Sequence, residues 1–511
     1  MRGELQQQLF EKYPAIFRQK DLPMTQTAMC WGIDCGDGWY EIIDTLCDWL
    51  TTLKKFTGAQ VEAVQVKEKF GCYDSETEVL TENGWKKFSD VTYDDKVATL
   101  KDGELLEYET PTDIIKYDYD GEMYRLKTRG VDLLVTPNHQ LYISKGTYWN
   151  GRYKPPKKIE YPFELVDYKK YYGENKRFKK GAIWKGEEID TFVLPKYENY
   201  WKNNLGITNK IYPEKKIDMD SWLSFLGWYI AEGCSDAKRG EISIACNNTD
   251  GGKEKEIIAK IIENVGYEIK TCLEDRPALV FRIYRKQLAT WLSSNCGRIS
   301  YEKKVPNFIK ELSPRQIEIF LSSLYAGDGH KTDTAYILTT VSKQLADDVQ
   351  ELLLKAGYSS RIYQPRPSRG AGQIRGTGLV YEVNWLKKSN YHNTSNKGLA
   401  KGSEEGMVDY KGTVYCVTVP SNIICIRRNG KPVWCGNSLR FYYGVINCRL
   451  KDIAFPVIKE MILFMELYSE KVCEICGQLG ELSRRGGWYK TVCEEHRDEH
   501  GYTTVKALNS E

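Results

Sequence analysis

The feature that most constrains this chain is a change of residue periodicity that later reverses itself. Within residues 1–71, stretches such as Glu41–Leu53 (EIIDTLCDWLTTL) place apolar residues three and four apart, the spacing of a helix with one buried face. After about residue 77 the pattern becomes short strands and turns: Thr77–Leu80, Lys96–Leu100 with its Lys101-Asp102-Gly103 turn, Met123–Lys127 and Leu133–Thr136. Helical spacing returns from Asp218. Strands return past residue 400, at Thr413–Val419 and Ile423–Arg427, and beyond Trp434-Cys435-Gly436-Asn437-Ser438 the pattern turns helical again. That order is nested: β-rich pieces bracket a helical unit, and outer pieces bracket those. A single core is excluded in any case, because cores stop growing near about 250–300 residues and the chain has 511.

The central unit is itself duplicated. Lys255–Lys270 (KEIIAKIIENVGYEIK) and Leu345–Arg361 (LADDVQELLLKAGYSSR) are amphipathic helices ending in Gly266-Tyr267 and Gly357-Tyr358, where glycine supplies the cap. Each follows a helix that closes on an acid and a glycine, Ala231-Glu232-Gly233 and Gly327-Asp328-Gly329. Two similar halves around a pseudo-twofold axis are expected. Small residues on the acid-ended helices let them pack closely and bring Glu232 and Asp328 together, where two carboxylates can hold Mg²⁺ beside a phosphodiester. Taken alone, each segment is more simply a helix end with a solvated acid.

Both outer boundaries carry nucleophiles. Cys72 follows Gly71, and its thiol is placed to take the acyl group from its own nitrogen if a nearby acid assists. Thr136 and His139 supply a hydroxyl and an imidazole. Asn437 carries an amide able to attack its own carbonyl, and Ser438 offers a second acyl acceptor. Singly, a cysteine is more often core and Asn-Ser a turn; their order is what raises the reading. Cys72-Tyr73-Asp74-Ser75-Glu76-Thr77-Glu78-Val79 and Thr136-Pro137-Asn138-His139 resemble the first two intein blocks. Val414-Tyr415-Cys416-Val417-Thr418-Val419-Pro420 and Trp434-Cys435-Gly436-Asn437-Ser438 resemble the last two.

The resemblance implies that Cys72 is the first nucleophile, that His139 destabilises the scissile amide and protonates its nitrogen, and that Thr136 orients it. Asn437 cyclises and Ser438 becomes the second nucleophile, joined to Gly71 without any cofactor. Two positions depart from the family. Gly436 stands where a histidine is usual, and Cys416 where an aspartate is common, a thiol that can still exchange a proton or hold a branched acyl group. The helix ends Phe225–Gly233 and Ser322–Gly329 resemble the LAGLIDADG homing endonucleases, which implies metal-binding acids at Glu232 and Asp328, Mg²⁺ as cofactor and double-stranded DNA as partner. Lys304-Val305-Pro306 resembles that family's basic block, with Lys304 as charge stabiliser.

The expected architecture is multidomain α+β. An all-β Hint-type horseshoe is formed jointly by 72–144 and 398–437, the β-rich first part stopping near Ser144. A two-repeat α/β endonuclease occupies 219–397, and small α+β flanks occupy 1–71 and 438–511, brought together only after splicing. Residues 145–218, dense in Lys, Tyr and Trp, read either as a solvated linker or as a DNA-contacting surface. The joined flanks make 145 residues, and their seam reads as a hairpin. In the second flank, Cys473, Cys476, Cys493 and His496 have the spacing of a closed structural Zn²⁺ site.

A net charge of +3 argues for no partner by itself, and no run approaches a membrane span, so a cytoplasmic protein without membrane contact is expected. Fifteen cysteines without a secretory leader argue against a disulfide framework. Two further readings stay open: splicing with an inactive endonuclease, and an unspliced nucleic-acid-binding zinc protein.

Overall fold

The computed structural model describes the chain except for residues 22–32, 68–70, 112, 138, 146–147, 151–156, 160, 204–205, 248–252, 273–277, 334, 364, 368–377, 387–390, 395–402, 420, 437–440, 447–456, 459, 463, 466–467, 470, 486–487 and 505–511. Asn437 and Ser438 therefore lie outside the described residues, as do Asn138 and Pro420.

The β-rich pieces on either side of the central unit form one structure. Strand Glu404–Thr418 pairs antiparallel along its whole length with Asp113–Lys127, and with Tyr73–Asp74 and Asp132–Val135 it closes a small barrel. A second sheet runs Lys431–Gly436, Ile423–Arg428, Glu78–Thr81, Val97–Lys101, Leu105–Glu109. Their interior is apolar and includes Val79, Met123, Leu133, Val414, Ile424 and Val433. The β-structure does not stop at Ser144. Gln140–Lys145 pairs with Glu164–Asp167 and Lys176–Lys179, and the latter with Tyr391–Thr394. Burial is the reason: Tyr168 and Phe178 are core residues, and Lys176, fully buried, pairs with Glu405 at 2.5 Å. Part of the segment read as linker is thus interior.

Seven helices are used below: α1 (Gly3–Lys12), α2 (Tyr40–Thr57), α3 (Met219–Glu232), α4 (Lys253–Asn264), α5 (Lys286–Asn295), α6 (Pro314–Asp328) and α7 (Lys343–Lys355). The duplication is plain in the topology. After α3 come Gly233–Asp236, Glu241–Asn247, α4, Lys270–Cys272 and Ala278–Tyr284. After α6 come Gly329–Lys331, Tyr336–Thr340, α7, Ser359–Ile362 and Leu379–Leu386. Each sheet is ordered first, second, fourth, third. Gly266 and Gly357 have φ of +70° and +82°, and in both repeats the following tyrosine N–H reaches back five residues to close the helix, Tyr267 to Ile262 and Tyr358 to Leu353.

The flanks are already together. Gln60–Lys67 pairs antiparallel with Phe441–Ile446, with Val66 opposite Phe441, so the expectation of flanks meeting only after ligation is corrected. Leu9, Ile43, Leu46, Leu50 and Val61 share a core with Ile458, Ile462, Met465 and Val472 from beyond the second boundary. Trp39 donates to the Val472 carbonyl at 3.2 Å. Burying apolar surface from both flanks in one shared core favours the pairing across the intervening chain. Among the described residues no helix is long and apolar enough to cross a membrane.

Candidate functional site

Cys72 begins at the lip of the barrel, where Tyr73 pairs with Val135. Thr136 follows that strand and brackets the Cys72 backbone: the Cys72 N–H donates to Thr136 Oγ1 at 2.8 Å, and the Thr136 N–H donates to the Cys72 carbonyl at 2.9 Å. A turn then carries His139 back over Gly71, with the His139 N–H on the Thr136 carbonyl at 3.0 Å. The approach is close enough that a Cβ on Gly71 would lie 2.8 Å from His139 Nδ1.

His139 is fully buried, and Nδ1 makes no hydrogen bond of ordinary geometry. Burial lowers its pKa to about 4, partly offset by the Gly71 and Gly436 backbones. The imidazole is therefore neutral at pH 7.

The opposite face of the same ring meets the other boundary. Cys435 Sγ lies 3.4 Å from His139 Nε2, and the Tyr73 hydroxyl donates to the Gly436 carbonyl. Tyr73 lies edge-on to His139 with ring centroids 4.4 Å apart and stacks on Phe88. Gly436 has no room for a side chain, since a Cβ would sit 2.4 Å from the Gln140 carbonyl oxygen. Cys416 lies buried on Glu404–Thr418, and Tyr117 from the paired strand hydrogen-bonds the Cys72 thiol. Cys72, Thr136, His139 and Cys416 thus converge; Asn437 and Ser438 are not described. Sequence reasoning missed Tyr73, Tyr117 and Cys435, although Tyr73 and Cys435 lie inside the motifs.

In the central unit, α3 and α6 cross at their glycines. A Cβ on Gly227 would lie 2.6 Å from Ser323 Cβ and 2.7 Å from the Leu324 nitrogen, and one on Gly327 would lie 2.5 Å from Ala231 Cβ. This approach sets Glu232 against Asp328. Burial raises Asp328 to about 7, with Glu232 adding to the rise and Lys303 opposing it; burial also raises Glu232. The lysine acting on Asp328 is Lys303, buried, with its ammonium on the Tyr229 carbonyl at 2.9 Å, whereas the Lys304 side chain is exposed. Two adjacent carboxylates that resist ionising together have the chemistry of a divalent-cation site.

The second β-sheet and the central unit are joined by buried charge. Arg427 reaches Glu78 at 2.7 Å and Asp347 of α7 at 2.6 Å, and Gln350 of α7 donates to the Gly430 carbonyl at 3.1 Å. In the second flank the ligand atoms of Cys473, Cys476, Cys493 and His496 lie within 4.8 Å of one another. Cys476 and Cys493 sulfurs are 3.7 Å apart and Cys473 Sγ is 3.8 Å from His496 Nδ1. A tetrahedral ion with bonds of about 2.3 Å to sulfur separates its ligands by about 3.8 Å, so the set fits such a cation. A Cβ on Gly38 would meet the Cys473 carbonyl at 2.1 Å, so the first flank packs directly on this loop.

Residues 315–388 match the LAGLIDADG-like domain. The chain is 29% identical over 425 residues to the DNA-directed RNA polymerase subunit beta C-terminal section of Stigeoclonium helveticum, covering 73% of this chain and 37% of that protein. It is 28% identical over 477 residues to the ATP-dependent Clp protease proteolytic subunit of Chlamydomonas moewusii, covering 72% and 45%. The chain thus spans less than half the length of these curated relatives. Among solved structures, I-DmoI in complex with DNA and Ca aligns at 18% identity and a TM-score of 0.25, covering 33% of this chain and 84% of that one. A splice-inactive AceL NrdHF class 3 split intein aligns at 18% identity and a TM-score of 0.16, covering 29% and 77%.

Proposed function

We propose that Cys72–Asn437 excises itself and joins Gly71 to Ser438, and that the duplicated unit within it cuts double-stranded DNA using Mg²⁺. The observation that carries this reading is the burial of Gly71, Cys72 and Gly436 around one imidazole, His139, although the boundaries are more than 360 residues apart in sequence. A structural histidine would satisfy both ring nitrogens; this one leaves Nδ1 facing the Gly71–Cys72 peptide. Burial pushes the Cys435 thiol up to about 11. It stays protonated and offers S–H to Nε2, which leaves the ring hydrogen on Nδ1. The relatives add support: a polymerase subunit and a protease subunit share no activity in their names, as expected if the common part is an insertion. Cys72–Asn437 makes up 366 of the 511 residues, a share close to what those alignments span.

In this reading the Cys72 sulfur bonds to the Gly71 carbonyl carbon, the carbon–nitrogen bond breaks, and the thiol proton passes through the neutral His139 imidazole to the departing amine. The Ser438 oxygen then takes the acyl group and the sulfur leaves as a thiol. The Asn437 side-chain nitrogen bonds to its own carbonyl carbon; its proton goes to the Ser438 nitrogen as that bond breaks. An oxygen-to-nitrogen shift restores the peptide. Glu232 and Asp328 would hold Mg²⁺, which would supply an activated water for DNA cleavage, and Cys473, Cys476, Cys493 and His496 would hold a structural Zn²⁺.

Intact mass spectrometry after expression in a reducing cytoplasm tests the first activity. Two products, the Cys72–Asn437 fragment and the ligated flanks, are expected; persistence of only the 59.0 kDa chain overturns it. Incubating the excised fragment with Mg²⁺ and a plasmid carrying the uninterrupted gene tests the second, with Asp328→Asn as the inactive control.

A further inference from the structure

Breaking the Gly71–Cys72 peptide asks more of this chain than a neutral imidazole. The Cys72 sulfur must reach the Gly71 carbonyl carbon by closing a five-membered ring. The peptide bond on that path is planar, so only the Cys72 φ and χ1 torsions are free to adjust. Thr136 holds the first: the Cys72 N–H donates to its Oγ1 at 2.8 Å, and its own N–H donates to the Cys72 carbonyl at 2.9 Å. The second torsion, χ1, is decided by what the sulfur touches.

The register brings Tyr117 to that sulfur. Strand Glu404–Thr418 runs between Tyr73–Asp74 and Asp113–Lys127, with Val414 opposite Asp74 on one side and Tyr117 on the other. Cys72 precedes Asp74 by two residues, so alternation puts it on the same face as Val414, Cys416 and Tyr117. Tyr117 packs against the barrel core, and its hydroxyl hydrogen-bonds the fully buried Cys72 thiol. Desolvation pushes the phenol well above its ordinary range, helped by the Cys72 sulfur, so it stays a hydrogen donor. Cys416 faces the same way, but its thiol donates to the Val417 carbonyl at 3.5 Å. Asp74 is paired with Arg428 at 3.0 Å. The remaining titratable groups at the junction are uncharged at pH 7: His139 is neutral, and Tyr73 and Cys435 keep their protons.

We propose that Tyr117 is a further catalytic residue of the N-terminal cleavage: its hydroxyl fixes the Cys72 sulfur and donates to the negative charge that develops there. This rests on the splicing reading. The step stays balanced without it as a proton source. Sulfur bonds to the Gly71 carbonyl carbon, the carbon–nitrogen bond breaks, and the thiol proton passes through His139 to the amine nitrogen. Tyr117 gives up no proton. A hydrogen bond to a charged atom is stronger than one between neutral groups, and orientation multiplies intramolecular rates. Losing this hydroxyl is therefore expected to cost about tenfold or more.

Tyr117→Phe, which keeps the ring packing and removes the hydroxyl, is made in two full-length precursors. In Asn437→Ala chain, cleavage at Gly71 is read at added thiol high enough that the rate no longer depends on it. In Cys72→Ala chain only C-terminal cleavage is read. The expected result at pH 7 is a fall of about tenfold or more in the first and less than about threefold in the second. Without the donor the sulfur gives up its proton less readily, so the pH–rate profile of the first should move upward by about one pH unit. Equal losses at both junctions mean a merely structural tyrosine and overturn the proposal, as does a loss with an unmoved profile or no loss at all. If the parent precursors, with Tyr117 intact, cleave at neither junction, the splicing reading itself fails and this proposal with it, a result separable from a specific failure of Tyr117.

Discussion

Two residues at the buried junction make opposite demands on their surroundings. His139 is held neutral by desolvation, with a folded pKa of about 4 against about 6.5 in an unfolded chain. The unfolded state therefore binds the extra proton between those values. His139 contributes stability that is complete above pH 6.5 and is lost as pH falls toward 4, on the order of 3 kcal/mol across the window. Urea unfolding of the Asn437→Ala precursor at pH 7 and pH 4.5 should register the loss, and His139→Gln should flatten that part of the profile. Gly436 demands absence. Restoring the histidine usual at this position, Gly436→His, is expected to lower C-terminal cleavage and the melting temperature, because its Cβ would start 2.4 Å from the Gln140 oxygen. Faster C-terminal release in that variant would show the strand to be more yielding than its packing implies. Cys72, Thr136 and His139 were legible because their spacing falls into ordered blocks. Tyr73 and Cys435 were not, since what matters about them is which neighbour across the barrel they face.

At the level of elements, the α3–α6 crossing is the sharpest constraint. Gly227→Val would drive a branched side chain into the backbone of Leu324 and part the helices, costing about 1–3 kcal/mol by comparison with overpacked cores. DNA cleavage should be abolished while the Cys72 junction, built on a separate core, keeps its chemistry; a plasmid assay beside a splicing gel separates the two. The helices and their repeat were readable from apolar spacing and from Gly-Tyr ends. Two adjacent lysines look alike in sequence, and only the structure shows that Lys303 is turned inward and Lys304 outward. The strands past Ser144 were misread for a related reason. Lysine and tyrosine there suggest a surface, yet Tyr168 packs inside and Lys176 is neutralised by Glu405, a partner 229 residues away.

Across the whole molecule the units are less independent than a nested sequence suggests. Arg427, 2% exposed, ties the strand next to the Gly436 strand to α7, and a buried charge stripped of its partner typically costs about 3–5 kcal/mol. Arg427→Ala should therefore lower splicing and DNA cleavage together, most visibly near the melting temperature, whereas Asp328→Asn should touch cleavage alone. Nothing in the local pattern around Arg427 announces this role, since an arginine in a strand usually faces water. The Cys-x2-Cys and Cys-x2-His spacing, by contrast, was fully legible. Cys476→Ser should release zinc, counted by atomic emission, and lower the melting temperature of both flanks at once, because Gly36 and Gly38 rest on that loop.

The pairing of Gln60–Lys67 with Phe441–Ile446 has a consequence in polymer terms. Closing a flexible loop of 373 residues before those strands could meet would carry a large entropic cost, growing with the logarithm of its length. A folded insert whose first and last strands meet around His139 has its ends close together, so to the flanking hairpin it counts as only a few residues of chain. In the proposed ligation that folded plug would give way to a loop of seven residues between Lys67 and Phe441, with no change of strand register required. The flanking protein is insulated from the size of what interrupts it.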